Sequence, residues 1–135
     1  MGTGSYTTPH FATDNETIDS VSGGSSGLHI HRGSASANRP YMIFAGMTGS
    51  TPGTKVGAVT VPINIDALTH VAYASLNTPT FTAFAGSLDQ NGMAKASFNV
   101  PAGIATVLKG TDLTFAYVLV DFVDVTSRPV TVRMR

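Results

Sequence analysis

Short apolar runs, broken at regular intervals by turn residues, dominate this chain. Residues 41–47 (YMIFAGM) and 113–120 (LTFAYVLV) are nearly continuous apolar runs, as expected for strands that are covered on both faces. Residues 93–100 and 129–135 instead alternate apolar with polar positions, which is typical of strands with one face in water. Clusters of Gly, Pro, Ser and Thr separate these segments. The pattern predicts strands along most of the chain and very little helix.

The other segments are less regular. In chain order they predict an edge strand over 13–21, a flexible turn over 22–27, strands over 28–32 and 57–62, a helical turn over 64–70, strands over 71–76 and 81–88, a hairpin turn over 89–92, and a second helical turn over 101–108. Asn64 or Asp66 is the expected N-cap of the first helical turn, and Gly110 is expected to close the second.

Eight or nine short strands at this spacing predict an all-β fold. The expected architecture is a two-sheet antiparallel β-sandwich, immunoglobulin/fibronectin-III-like or jelly-roll-like, with about eight strands and one or two short helical turns. With 135 residues the chain has the size of one domain. We expect residues 13–135 to form that domain and residues 1–12 to be an N-terminal tail.

The composition restricts the possible partners of the protein more than it restricts the possible folds. Charged residues make up 12% of the chain and the formal net charge is zero, so no long-range field would attract nucleic acid. No apolar stretch approaches the about 18 residues of a membrane span, so no membrane insertion is expected. The polar start MGTGSYTTPH lacks the regions of a signal peptide. Because there is no cysteine, disulfides and thiolate metal sites are excluded.

An ordered series of short motifs also resembles a known family. The series is Ala37-Asn38-Arg39-Pro40-Tyr41, Gly46, Gly49, Thr51-Pro52-Gly53, Val61-Pro62-Ile63-Asn64, Asp66, Asn77, Pro79, Phe81, Phe84, Gly86, Leu88-Asp89, Gly92, Ala94, Ala96, Pro101, Phe115-Ala116-Tyr117-Val118 and Ser127-Arg128-Pro129-Val130. It is similar to the C-terminal β-sandwich accessory domain of large secreted proteins of planctomycetes, myxobacteria and related bacteria. The resemblance implies a non-catalytic domain of a secreted, extracellular protein, with no catalytic residue and no cofactor to carry over.

His29 and His31 are the first candidate metal ligands. Residues two apart on a strand share a face, so both imidazoles can approach one zinc ion. A third ligand such as His10, Asp14 or His70 would have to come from elsewhere. The competing interpretation is a strand whose polar side faces water while Leu28 and Ile30 face the core.

Asp14, Glu16 and Asp19 are the second candidate. They concentrate three of the eight carboxylates in six residues, and such oxygen ligands suit calcium. The competing interpretation is a charged edge strand that resists unwanted pairing.

Aromatic residues offer a candidate ligand platform. Most of them fall at strand positions that predict burial, but Tyr6 and Phe11 precede the sandwich pattern and are expected to be exposed, where a sugar can stack on them. Asp121 and Asp124 are a candidate carboxylate pair for acid–base catalysis. Because no nucleophile motif accompanies them, the sequence predicts that the protein is not an enzyme.

Two functional classes follow. The first is a non-catalytic accessory domain that acts as a spacer, a surface-retention signal or a weak polysaccharide-binding module. The second is a self-assembling structural subunit of an extracellular filament, lattice or shell, because zero net charge removes repulsion between copies. Pairing at sheet edges formed by residues 13–21 or 129–135 is the expected route of assembly.

Overall fold

The computed structural model describes residues 11–57, 59–121 and 125–135. In chain order their elements are β1 (Phe11–Thr13), β2 (Thr17–Ile18), β3 (Gly23–His31), a 3₁₀ turn (Ser34–Ser36), β4 (Pro40–Gly46), β5 (Thr54–Val56), β6 (Val59–Val61), α1 (Ala67–Ala74), β7 (Phe81–Thr82), β8 (Ala85–Ser87), β9 (Met93–Pro101), α2 (Ala102–Val107), β10 (Asp112–Leu119), β11 (Val125–Thr126) and β12 (Val130–Met134). The fold is mostly β, as predicted, with two short helices.

Two sheets face each other and a small hairpin covers part of the second. The first sheet has the order β1-β3-β9-β7, and the second has the order β2-β12-β10-β4-β8 with β11 beside β10. Strands β5 and β6 form the separate hairpin. Apart from the parallel pair β2–β12, the described pairings are antiparallel. The all-β, sandwich-like prediction is therefore confirmed.

Aromatic side chains join the two sheets through the core. Phe98 of β9 and Phe115 of β10 come from opposite sheets, and their ring centroids lie 5.3 Å apart. Phe84 meets Phe115 edge to face at 6.0 Å. These rings are fully buried, which makes their contact a principal source of cohesion between the layers.

Strand β10 is covered on both faces, as its continuous apolar run predicts. Phe115 and Tyr117 point into the main core. Ala116 and Val118 point the other way, into a second apolar cluster beneath the β5–β6 hairpin. Because both faces are closed, β10 anchors the larger sheet.

Several strand predictions are confirmed. The segments 41–47, 93–100, 113–120 and 129–135 overlap β4, β9, β10 and β12. Within β3, Leu28 and Ile30 are buried, whereas His29 is half-buried and His31 is exposed on the opposite face. The helical turn expected over 101–108 is α2, and Gly110 follows it with a φ of 82°.

Four predictions about individual segments are wrong. Residues 71–76 are not a strand, because α1 continues to Ala74. Residues 13–21 do not form one edge strand, since β1 and β2 belong to different sheets. Residues 22–27 are not a flexible turn, because β3 begins at Gly23 and pairs with β9 along its whole length. Residues 81–88 divide into β7 and β8, which again belong to different sheets.

Two of these differences change the boundaries used for function. Strand β1 begins at Phe11, so residues 11 and 12 belong to the sandwich rather than to a tail. Strand β12 lies between β2 and β10, so residues 129–135 do not form the sheet edge that was expected to pair between copies.

Candidate docking surface around helix α1

The predicted metal ligands come together only in part. Asp14 Oδ1 lies 2.7 Å from His29 Nε2, an ion pair when the imidazole is protonated. The pair forms because Gly27 leaves room for the Asp14 carboxylate, with which a Cβ at that position would collide. His31 shares the face of His29 but is not part of this contact.

The other two carboxylates of the acidic run lie elsewhere. Asp19 Oδ1 accepts hydrogen bonds from the backbone N–H groups of Val21 and Ser22, so it shapes a turn. The backbone carbonyl of Glu16 accepts a hydrogen bond from the backbone N–H of Arg133. Across residues 11–57, 59–121 and 125–135, no three His, Cys, Asp or Glu side chains converge as metal ligands would. The predicted calcium cluster is therefore not assembled by these residues.

The predicted aromatic platform also changes. Phe11 is only 4% exposed and packs edge to face against Tyr117 at 5.2 Å, so the expectation that it is exposed is wrong. Tyr6 lies outside the described residues. Within them, Tyr73 is the only exposed aromatic side chain. It lies on α1, in a segment that was predicted to be a strand.

Helix α1 begins with a capping box. The Asp66 carboxylate accepts from the backbone N–H groups of Leu68 and Thr69, at 3.0 and 3.3 Å, and Thr69 Oγ1 accepts from Asp66 N. A helix of eight residues is marginal alone and depends on tertiary packing. Leu68 and Ala72, one turn apart, supply that packing by pointing into the core.

Three hydrogen bonds fix α1 and its N-cap to strand β4 and to the two residues that follow it. Thr69 Oγ1 donates to the Ala45 carbonyl at 2.7 Å. The second oxygen of Asp66 accepts from Met47 N at 2.8 Å and from Thr48 Oγ1 at 2.7 Å. Partial burial raises the pKa of Asp66, but these hydrogen bonds outweigh it and hold the pKa below its ordinary value. The Asp66 carboxylate is thus ionised where it orients the helix.

Helix α1 stands as a ridge between two apolar grooves. The α1–β4 groove, of about 310 Å³, is lined by residues that include Met42, Phe44, Ile65, Tyr73 and Leu76. The α1–α2 groove, of about 370 Å³, is lined by residues that include Leu68, Val71, Phe98, Ile104 and Leu108. We call α1 and the residues that line these two grooves the α1 surface.

Large apolar side chains remain in water on this surface. Val71 is 53% exposed, Tyr73 67% and Ile104 51%. The two grooves contain no Asp, Glu, Lys or Arg, and their ionisable residues are His70 and Tyr73. Contiguous apolar area of this kind, without charge, is typical of a protein contact or an apolar ligand site.

A third depression is polar and has a different character. Its volume is about 560 Å³, and it is lined by Thr114 and Thr131, which pair across β10 and β12, together with Ser50 and Asp112. Asp112 is already paired with Arg133 at 3.0 Å. With no aromatic ring in its lining, this depression lacks a surface on which a sugar can stack.

The remaining paired carboxylate also has a structural role. Asp121 accepts hydrogen bonds from Arg39 Nε and Nη2, at 3.1 and 2.7 Å, in a two-pronged contact between residues 82 apart in sequence. Its proposed catalytic partner Asp124 lies outside the described residues. The contact with Arg39 gives Asp121 a structural role.

Comparison with known proteins adds no relative. No family model, curated protein or solved structure matches this chain. Neither of the described helices has the length and apolar content of a membrane span.

Proposed function

We propose that this protein is a non-catalytic accessory domain that binds a partner through the α1 surface. The observation that supports this most strongly is the exposure of Val71, Tyr73 and Ile104 beside two uncharged grooves. Keeping such side chains in water forgoes the free energy of their burial, which a partner would recover. The sandwich beneath them supplies a rigid support.

The non-catalytic part of the proposal is supported by where the carboxylates are used. Asp66 caps α1, Asp89 accepts from the backbone N–H groups of Asn91 and Met93, and Asp19 shapes a turn. Asp112 and Asp121 are paired with arginines. These contacts give each of the five carboxylates a structural role, and no nucleophile motif accompanies them.

The secreted setting of the proposal comes from the family resemblance. In that setting the domain acts as a spacer or retains its parent protein at a surface. Weak polysaccharide binding is a second candidate, favoured by the exposed ring of Tyr73 at the rim of the α1–β4 groove. One exposed ring offers a single stacking position, so the contact would be weak.

Binding of an uncharged solvatochromic dye, Nile red, tests the main proposal. At a protein concentration below about 1 μM, we expect the folded protein to bind the dye saturably and Val71→Glu to abolish the binding, because a carboxylate then lies in the α1–α2 groove. Met93→Glu is the matched control, because Met93 is 42% exposed and lies at the other end of β9, about 16 Å along the strand from Phe98, the nearest groove residue on β9. Equal dye binding by all three proteins would overturn the role of the α1 surface.

A pull-down on insoluble cellulose and chitin tests the second candidate. Retention of the wild type, reduced by Tyr73→Ala and unchanged in Met93→Ala, would support polysaccharide binding. Wild type that stays in the supernatant, or retention that does not depend on Tyr73, would eliminate it.

A further inference from the structure

We propose that the partner of the α1 surface is a second copy of this chain, which packs on it about a twofold axis to form a closed dimer. This inference rests on the proposed function, because it names the occupant of the same surface. Three features support it: the shape of the surface, its charge and its size.

The shape is complementary to itself. Val71 lines one flank of α1 and Tyr73 lines the other, so the ridge has a groove on each side. A twofold axis beside α1 places the ridge of each copy against a groove of the other. The crest of the ridge carries the exposed residues Ala67, His70 and Ala74. The two alanines, on either side of His70, are the points at which a second helix can approach closely. An interface in which the same patch serves both copies is the commonest arrangement of homodimers.

The charge suits a second copy better than a charged partner. In a twofold interface every charge on the patch faces its own copy, so a patch with a net charge repels itself. Neither groove contains Asp, Glu, Lys or Arg, and the whole chain has a formal net charge of zero. A partner recognised by salt bridges would find no counter-charges in either groove.

The size approaches that of a standard interface. Ten described residues line the α1–β4 groove and twelve different ones line the α1–α2 groove, which makes 22 together. A standard interface covers about 800 Å² of each partner and takes about 20–30 residues from it. Seven of these 22 residues are buried within the chain, which leaves 15 accessible ones, so the α1 surface supplies most of the residues of a small standard interface.

The sheet edges fit this role less well. Strand β7 at one edge has two residues, β1 at the opposite edge has three, and β12 lies inside its sheet. Short edges offer few backbone hydrogen bonds to a second strand. Assembly through helices thus replaces the strand pairing expected from the sequence.

Sedimentation velocity of the full chain between about 1 and 100 μM tests the dimer, because the weakest interfaces of standard size have micromolar affinity. We expect the mass to rise from 14.0 kDa to a plateau at twice that value. Val71→Glu and, independently, Ala74→Glu should weaken the dimer at least about tenfold, because each places like charges against each other in the interface. Met93→Glu should leave it unchanged. Circular dichroism shows that each variant is folded, and Ala74 is exposed on a helix that tolerates Glu.

Each other outcome overturns the inference in a distinct way. A mass of 14.0 kDa at every concentration rules out the second copy. Growth beyond the dimer mass rules out a closed twofold interface. A dimer that neither variant weakens uses another surface. If Nile red still binds a strict monomer and Val71→Glu abolishes that binding, the proposed docking surface stands and only its occupant is wrong.

Discussion

The carboxylate of Asp66 accepts a hydrogen bond from the backbone N–H of Met47 at 2.8 Å while it caps α1. One side chain therefore starts the helix and ties it to the segment that leaves β4. The orientation of the whole α1 surface depends on this contact.

Replacing Asp66 should weaken the attachment of α1 and lower the free energy of unfolding. Asp66→Ala removes both the cap and the Met47 contact, so we expect a loss of about 2 kcal/mol in the free energy of unfolding at pH 7. Asp66→Asn keeps a capping oxygen and should cost less. Urea unfolding followed by circular dichroism measures both.

The pH dependence has a definite sign. The folded-state pKa of Asp66 lies below its ordinary value of about 3.9. The carboxylate therefore stabilises the fold above the ordinary pKa, and this contribution disappears as the pH falls through the folded-state pKa. Wild type should lose more stability than Asp66→Asn between pH 5 and pH 2; equal losses would show that the charge at Asp66 is not what matters.

Two buried tyrosines should respond differently to loss of the hydroxyl. Tyr41 donates to the Ala83 carbonyl at 2.7 Å, and burial raises its pKa. The Tyr117 hydroxyl is buried without a hydrogen bond of good geometry among the described residues; burial raises its pKa, and the nearby Arg32 lowers it in part. We expect Tyr41→Phe to cost about 1 kcal/mol in the free energy of unfolding, and Tyr117→Phe to cost nothing or to stabilise.

Urea unfolding of the two variants side by side checks this difference, because both changes remove the same atom from the same type of residue. A loss above about 1 kcal/mol for Tyr117→Phe would mean that its hydroxyl does hold a stabilising partner.

The elements predicted correctly are those whose residues dictate their own environment. Residues 113–120 are apolar at almost every position and rich in β-branched and aromatic side chains, which favours a strand buried on both faces, and residues 129–135 alternate strictly. In both cases the burial pattern follows from side-chain chemistry alone.

The wrong predictions concern segments whose secondary structure depends on caps and on packing against the rest of the fold. Residues 71–76 alternate like a strand, yet Asp66 caps a helix through them and Leu68 and Ala72 bury one side of it. The signal that would have extended the predicted helical turn is Thr69, which completes a capping box with Asp66, together with Ala67, Ala72 and Ala74, which favour helix.

The flexible turn predicted over residues 22–27, at the Gly/Ser-rich start of β3, is wrong for a different reason. Its small residues lower the strand propensity, but they are required by close packing: a Cβ at Gly23 would lie 2.5 Å from the Val100 carbonyl oxygen. The α1 surface was missed as a consequence of the helix error, because a strand at 71–76 would have placed Tyr73 in the core.

Phe115 should be the most costly residue to truncate among the aromatic contacts described. It is fully buried and meets Phe84 and Phe98, so Phe115→Ala should lower the free energy of unfolding by about 3–5 kcal/mol. Phe44→Ala is the control and should cost clearly less, because Phe44 lies on the opposite face of the same sheet and is itself only half-buried. Urea unfolding measures both, and a loss below about 1 kcal/mol for Phe115→Ala would contradict the assignment of its face.

Metal ions should leave the stability unchanged, since the structure joins His29 to Asp14 alone among the predicted ligands. Adding about 10 mM calcium would stabilise a protein with a 1 mM site by about 1.4 kcal/mol, within the range of weak extracellular sites. We expect thermal unfolding to show no such shift with calcium, nor with zinc at about 0.1 mM, a concentration well above that needed to fill a structural zinc site. A rise in Tm that disappears in His29→Ala, and separately in His31→Ala, would instead show that the two histidines hold an ion. A rise lost only in Glu16→Gln or Asp19→Asn would assign it to the acidic run. Chelator-treated protein provides the baseline, because a metal carried through purification would otherwise mask the effect.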